Sequence, residues 1–118
     1  MTGNGLSGPI PVDIALLSNL RKLTLSDNNI VGPLPRSLFI MSNLEELFID
    51  NNLIEDELSD VSGMESLSVF FASNNNLSGD VRLFWELPTL TVLVLDDNSF
   101  SGTLDGISAL QDLSKRIL

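Results

Sequence analysis

Carboxylates crowd the stretch from Asp50 to Glu65, where Asp50, Glu55, Asp56, Glu57, Asp60 and Glu65 fall close together. Paired acids can divide general acid and base duties at a scissile bond, or supply hard oxygen ligands to calcium. The spacing favours neither chemistry. A calcium loop alternates Asx residues and turns at a glycine, and this stretch has no such pattern. The chain contains no histidine and no cysteine, so the usual metal ligands and most nucleophile–base pairs are missing. The stretch reads as a solvated outer edge, and Asp96-Asp97 reads the same way. The sequence implies no catalytic residue, no metal and no cofactor.

A second polar set is more regular. Asn4, Asn28, Asn52, Asn75 and Asn98 recur at one place beside leucines. A buried amide must find partners, and its carbonyl and NH2 can serve backbone groups where a strand ends and the chain turns. Stacked on one another, these side chains would form a structural ladder, so they read as scaffold and not as a site.

The elements that carry them are four copies of LxxLxLxxN: Leu20 to Asn28, Leu44 to Asn52, Leu67 to Asn75 and Leu90 to Asn98. Their first residues are 24, 23 and 23 positions apart, and a fixed period in this range is the signature of a solenoid. Alternation across a strand puts Leu23 and Leu25 on one face and Lys22, Thr24 and Ser26 on the other. The apolar set of this coil is Leu20, Leu23, Leu25, Ile30, Leu34, Leu38 and Met41. Burying it does not offset the entropy of ordering one coil, so neighbouring coils must cover each other.

After the asparagine the repeats continue as xLxGxIP. The residues are Leu6-Ser7-Gly8-Pro9-Ile10-Pro11 and Ile30-Val31-Gly32-Pro33-Leu34-Pro35, then Leu77-Ser78-Gly79-Asp80-Val81 and Phe100-Ser101-Gly102-Thr103-Leu104. Over nearly its whole length the chain resembles plant-type leucine-rich repeat proteins. It is similar to the ectodomains of receptor-like kinases and receptor-like proteins, and to polygalacturonase-inhibiting proteins. The resemblance implies an α/β solenoid: a right-handed superhelix with short parallel β-strands on the concave face and irregular, 3-10 or short helical turns on the convex face. On this reading 1–118 is a single solenoid, with a partial coil 1–19, coils 20–43, 44–66, 67–89 and 90–112, and a tail 113–118. The family's cysteine-bearing caps are absent, so the chain is expected to be a piece of a longer array.

Local departures set further expectations. Ile54-Glu55-Asp56-Glu57-Leu58 lacks the glycine and prolines, so the third coil should turn more loosely there. Pro9 and Pro11 favour extended backbone around Ile10. Asp13 to Leu17 allows a short helical turn with its leucines inward, and Leu38-Phe39-Ile40-Met41 has the same role in the next coil. Of Phe84 and Trp85, one should fill the core, with Trp85 partly exposed. A further interval of 23 would place Arg116 at a leucine position, where an unpaired charge is costly to bury. The tail is then expected to fray, or, preferably, to form a short helix with Ile107, Leu110 and Leu113 inward and Lys115 and Arg116 near its C-terminus.

The outward strand positions align as columns on the exposed sheet. One reads Lys22, Glu46, Val69, Val92 and the next Thr24, Phe48, Phe71, Val94. The third reads Ser26, Asp50, Ser73, Asp96 and the fourth Asp27, Asn51, Asn74, Asp97. Val69, Val92, Phe48, Phe71 and Val94 would form an apolar patch edged by carboxylates such as Asp50 and Asp96. A scaffold does not require phenylalanine facing outward, and apolar patches with polar rims commonly mark binding surfaces. The sequence thus points to a non-enzymatic module that recognises a protein or peptide on its concave face. The alternative is a spacer that only extends an array, or self-associates through uncapped ends.

The chain carries 16 acidic and 6 basic residues, a formal net charge of −10. That opposes binding to nucleic acid or an anionic membrane surface and suits solubility or a basic partner. No run approaches the roughly 18 apolar residues of a membrane span, so no direct membrane insertion is implied. The start lacks the basic segment and apolar core of a signal peptide. An extracellular or cell-surface location rests on the resemblance alone, although Asn76-Leu77-Ser78 is a glycosylation sequon compatible with it.

Overall fold

Each LxxLxLxxN copy is extended in the computed structural model, which describes residues 3–102 and 116–117. The strands are β1 (Ser7–Gly8), β2 (Lys22–Thr24), β3 (Asn29–Gly32), β4 (Glu46–Phe48) and β5 (Leu53–Glu57). They continue as β6 (Val69–Phe71), β7 (Asn76–Asp80), β8 (Val92–Val94), β9 (Ser99–Ser101) and β10 (Arg116–Ile117). Successive coils stack, so alternate strands become neighbours. One parallel sheet runs β10-β8-β6-β4-β2 and a second runs β1-β3-β5-β7-β9. The coils close through 3-10 helices at Val12–Leu16, Arg36–Ile40 and Val81–Glu86. This is a solenoid of parallel strands and short 3-10 turns, the architecture the sequence implies.

The first sheet pairs Lys22 with Glu46, Glu46 with Val69 and Val69 with Val92, so its rungs follow the sequence period. The second sheet was not anticipated as a sheet. It arises because the residue two past each ladder asparagine is buried (Ile30, Ile54, Leu77) while its preceding neighbour is exposed, the alternation of a half-buried strand. Its rungs pair Ser7 with Asn29, Val31 with Leu53, Glu55 with Asn76 and Ser78 with Ser99. Those partners are two residues closer in sequence than the repeat period, so the second sheet is sheared against the first at every coil.

Between the sheets and the 3-10 turns lies one row of apolar side chains from Ile10 to Leu95. Leu25, Ile30, Leu34, Leu38 and Met41 are buried, with Leu20 and Leu23 packed partly against the row. In the fourth coil Phe84 is buried and meets Phe70 with ring centroids 5.6 Å apart, while Trp85 is half-buried.

Three expectations are corrected. The Ile54 to Leu58 segment is no looser than its counterparts: β5 pairs with both β3 and β7. Its missing proline and glycine are compensated by Asp56, whose carboxylate accepts the Leu34 N–H at 3.1 Å and pairs with Arg36. The third coil instead departs at 59–64, which turns without a 3-10 helix around the Asp60 carboxylate, held by the N–H and hydroxyl of Ser62. Second, Leu16 and Leu17 face outward, 77% and 52% exposed. A 3-10 turn has three residues per turn and one narrow inward face, which Ile14 and Ala15 occupy. Ile40, the counterpart of Leu16, is likewise exposed, whereas Leu38, Phe39 and Met41 are buried as expected.

Third, Arg116–Ile117 is a strand and not part of a helix. Arg116 pairs with Val92 and Ile117 with Leu93. The last interval is therefore one residue longer than 23, which sets Ile117 and not Arg116 opposite a buried leucine and removes the objection of a charge at that register. The helix expected over Ile107, Leu110 and Leu113 lies outside the described residues.

Candidate functional site

The asparagines do their work inside the stack. Asn52 Oδ1 accepts the Ile30 N–H at 3.1 Å, while its Nδ2 donates to the carbonyls of Leu25 (2.9 Å), Ile49 (3.0 Å) and Asp50 (3.2 Å). Asn75 and Asn98 repeat this with Ile54 and Leu77 as donors and with the carbonyls of Ile49 and Ala72 as shared acceptors. Asn28 Oδ1 accepts from both Asn4 N–H (3.1 Å) and Leu6 N–H (2.9 Å). Asn4 itself is exposed and joins the ladder through its backbone. Each amide thus ties two strands of different sheets, and its chemistry is consumed there.

The residue before each of these asparagines has a duty the sequence reading missed. Asp27, Asn51, Asn74 and Asp97 all sit in the left-handed region, at φ 58°, 57°, 55° and 57°. Asn and Asp tolerate that region better than other L-residues, and an all-Asx column was the signal available in the sequence. Their side chains also chain together: Asn51 Nδ2 donates to Asp27 Oδ1 at 2.7 Å and Asn74 Nδ2 to Asn51 Oδ1 at 2.6 Å. The neighbouring column alternates hydroxyl and carboxylate. Ser26 Oγ donates to Asp50 Oδ1 and Ser73 Oγ to Asp96 Oδ1, both at 2.5 Å.

The two remaining outward columns turn apolar from one coil to the next. Strand register sets Thr24 beside Phe48, Phe48 beside Phe71 and Phe71 beside Val94. The Phe48 and Phe71 rings are 5.0 Å apart at centroid and tilted by 58°. Phe48, Phe71, Val94, Val69 and Val92 are all half-buried. They form one apolar surface on the first sheet, opposite the face covered by the core. At one end Lys22 Nζ lies 5.4 Å from the Phe48 ring centroid, a cation–π distance. On one flank stand Asp27, Asp50, Asp96 and Asp97.

The acidic stretch disperses. Asp50 faces the first sheet's exposed side, Asp56 is tied to Leu34 and Arg36, and Glu55, Glu57, Asp60 and Glu65 are exposed elsewhere. Among the described residues no three acids are grouped to hold a metal ion. Among the described residues the most perturbed carboxyl is Asp80, whose pKa falls to about 2 because the Arg82 side chain and backbone N–H both donate to it. It caps the Val81–Glu86 helix and lies away from the apolar surface. Among the described residues no helix is long and apolar enough to cross a membrane. Asn76, in the sequon, is exposed on β7.

Comparison with known proteins agrees with this geometry. Residues 19–41 match the Leucine Rich Repeat family. Among solved structures, the chain is similar to the leucine-rich repeat ectodomain of the receptor kinase SOBIR1 from Arabidopsis thaliana, at 29% identity and TM-score 0.88, covering 98% of this chain and 63% of that one. It is similar to the plant peptide hormone receptor RGFR1, solved in complex with RGF2, at 37% identity and TM-score 0.91, covering 100% of this chain and 19% of that one. The Arabidopsis receptor kinase HAESA, in complex with the peptide hormone IDA and the co-receptor SERK1, matches at 30% identity and TM-score 0.86 over 94% of this chain and 19% of that one. No curated protein sequence matches the chain. The chain thus spans under two thirds of each of these ectodomains.

Proposed function

Since the chain is a leucine-rich repeat solenoid like those of plant receptor ectodomains, we propose that it is a non-enzymatic recognition module whose concave β-face takes a protein or peptide ligand. The observation that carries this reading is the Phe48–Phe71 pair, two large apolar rings in contact on outward strand positions that no inter-coil bond requires. Val69, Val92 and Val94 extend the surface, and Asp50 and Asp96 edge it. Exposed aromatic clusters with polar rims are where binding energy concentrates. RGFR1 and HAESA, to which the chain is similar, were solved with peptide hormones, which supports a peptide or protein as the partner. The net charge of −10 argues against nucleic acid as that partner.

The parent protein is read as receptor-like or inhibitor-like, with this segment outside the cell. The exposed Asn76 of the sequon is then a glycosylation site. The asparagine ladder is scaffold.

Phe48→Glu and Phe71→Glu in the parent protein test the reading. Both variants should keep the strand signature in circular dichroism, because neither ring is in the core, and both should lose ligand in a screen of candidate protein and peptide partners. If both fold and still bind every partner of the wild type, the assignment of the face is wrong.

A second reading has its own observation. An apolar opening of about 240 Å3 beside the first coil is lined by Leu6, Ile10, Ile14, Leu25 and Ile30. A coil stacked there would make the segment a spacer within a longer array, or let chains associate end to end. Light scattering over a concentration series distinguishes this from a monomer that binds through its face.

A further inference from the structure

Resting on the concave face as the binding surface, we infer that its ligand is an extended peptide segment bearing cationic side chains beside apolar ones. It would cross the strands with its apolar residues on Phe48, Phe71 and Val94 and its cations toward Asp27, Asp50, Asp96 and Asp97.

The first ground is charge complementarity. The basic residues whose side chains are described are otherwise engaged: Arg21 pairs with Glu45, Arg36 with Asp56 and Arg82 with Asp80. Lys22 lies over Phe48 on the other flank. The four aspartates have no ion-pair partner among the described residues. Among the described residues Asp27 accepts from Asn51, Asp50 from Ser26 and Asn51, and Asp96 from Ser73, all neutral groups. Those bonds fix the carboxylates in place without neutralising them. The opposite flank mixes Lys22 with Glu46 and then turns to valine, so it exerts no comparable pull.

The second ground is spacing. Neighbouring strands stand about 4.8 Å apart, so the column from Thr24 to Val94 spans three steps, roughly 14 Å. An extended chain advances about 3.3–3.6 Å per residue, so four or five residues cover it. The acids fall in two groups, Asp27 with Asp50 and Asp96 with Asp97, separated by the neutral Ser73 and Asn74. Asp50 and Asp96 are two strands apart, roughly 10 Å, or about three extended residues. The ligand's cationic side chains should therefore recur about three positions apart in a polyproline-II-like segment, whose three residues per turn and rise of about 3.1 Å per residue return i and i+3 to one side, with an apolar or aromatic residue between them to meet the phenylalanines.

The experiment is selection from a randomised linear peptide display library against the full chain, followed by titration of synthetic winners by fluorescence anisotropy. Enrichment of Lys or Arg about three positions apart, flanking an apolar residue, is expected. Asp50→Asn and Asp96→Asn combined should weaken the winners about tenfold or more; Asn keeps an acceptor for Ser26 and Ser73, so the coils stay bonded. Winners without basic residues, or unchanged affinity in this double variant, would overturn the charge assignment. Equal binding of a scrambled peptide of the same composition would overturn it too. Phe71→Glu separates the two levels: winners that ignore it refute the face itself, whereas winners it abolishes but the aspartate changes do not affect refute only the cationic ligand.

Discussion

Replacing Asn52 by Ala probes the ladder at its most enclosed rung, since the residue is only 6% exposed. The consequence can be worked out group by group. The three carbonyls that Asn52 serves have other donors: Leu25 also accepts from Asn28 Nδ2, Ile49 from Asn75 Nδ2 and Asp50 from the Asp27 N–H. The Ile30 N–H has no such substitute in the ladder, because it points to Asn52 Oδ1 and Ile30 is itself buried. One stranded buried donor costs about 1–3 kcal/mol. For a chain of this size that lowers Tm by roughly 4–12 °C.

The control is Asn74→Gly, one coil on and exposed, where φ of 55° suits glycine without strain. Its change should stay near or below about 1 kcal/mol, since only the exposed bond to Asn51 is lost. Denaturation followed at Trp85, the one tryptophan, with matching m-values, compares the two. A third variant, Asn52→Asp, sharpens the test. Its carboxylate could still accept from Ile30, but its second oxygen would face carbonyl oxygens where a donor is needed. Its pKa would be raised in the folded state, so the variant should regain stability as pH falls through that raised value. If Asn52→Ala is no worse than Asn74→Gly, the ladder does not hold the coils together.

Gly79→Ala should destabilise far more than Gly8→Ala: both glycines have positive φ (123° and 80°), but a Cβ at Gly79 would lie 2.5 Å from the Leu58 carbonyl oxygen, and one at Gly8 meets nothing within 4 Å. Strain alone is worth about 1–2 kcal/mol, so only Gly79→Ala should exceed that in urea melts, and equal losses would disprove close backbone approach at this turn. Arg82→Gln should bring the Asp80 pKa up from about 2 toward its ordinary 3.8, read by NMR titration of the carboxyl carbon. Because the folded pKa is depressed, the cap's contribution is complete above pH 3.8 and is lost as pH falls through about 2. A titration unmoved by Arg82→Gln would rule out arginine as the cause.

The strand columns were legible in the sequence because a parallel sheet pairs like with like: once Leu23, Leu47, Phe70 and Leu93 are aligned by the period, every outward neighbour is aligned too. What escaped was written in relations the period does not encode. The second sheet depends on a two-residue shear that no column of identical residues displays. Asp56 substitutes for the missing glycine and prolines by reaching a backbone N–H in the preceding coil and Arg36 beside it, a compensation invisible when each coil is read alone. Leu16 misled because apolar character says that a residue can be buried, not that a 3-10 turn has room for it on its inward face. Arg116 misled through one residue of spacing, since a 24-residue interval sets Ile117 and not Arg116 in register with Leu93.

The same accounting explains why a surface can be proposed at all. In each rung the scaffold claims the leucines for the core, the asparagine for the ladder, the preceding Asx for its left-handed turn and the Ser–Asp column for bonds between coils. The positions at Phe48, Phe71, Val94, Val69 and Val92 carry no polar group and so serve none of these bonds. Strand propensity alone accepts β-branched and aromatic residues alike at such positions. Valine at Val69, Val92 and Val94 fits that expectation and discriminates little. Two phenylalanines in register satisfy propensity too, but each leaves part of a large apolar ring in water and gains there only the contact with the other ring and, for Phe48, with Lys22. That residual exposure is what a ligand would remove. Accordingly, Phe48→Thr with Phe71→Thr should cost the fold about 1–2 kcal/mol, the worth of the ring contact, while abolishing binding, and a much larger loss of stability would mean the rings serve the scaffold after all.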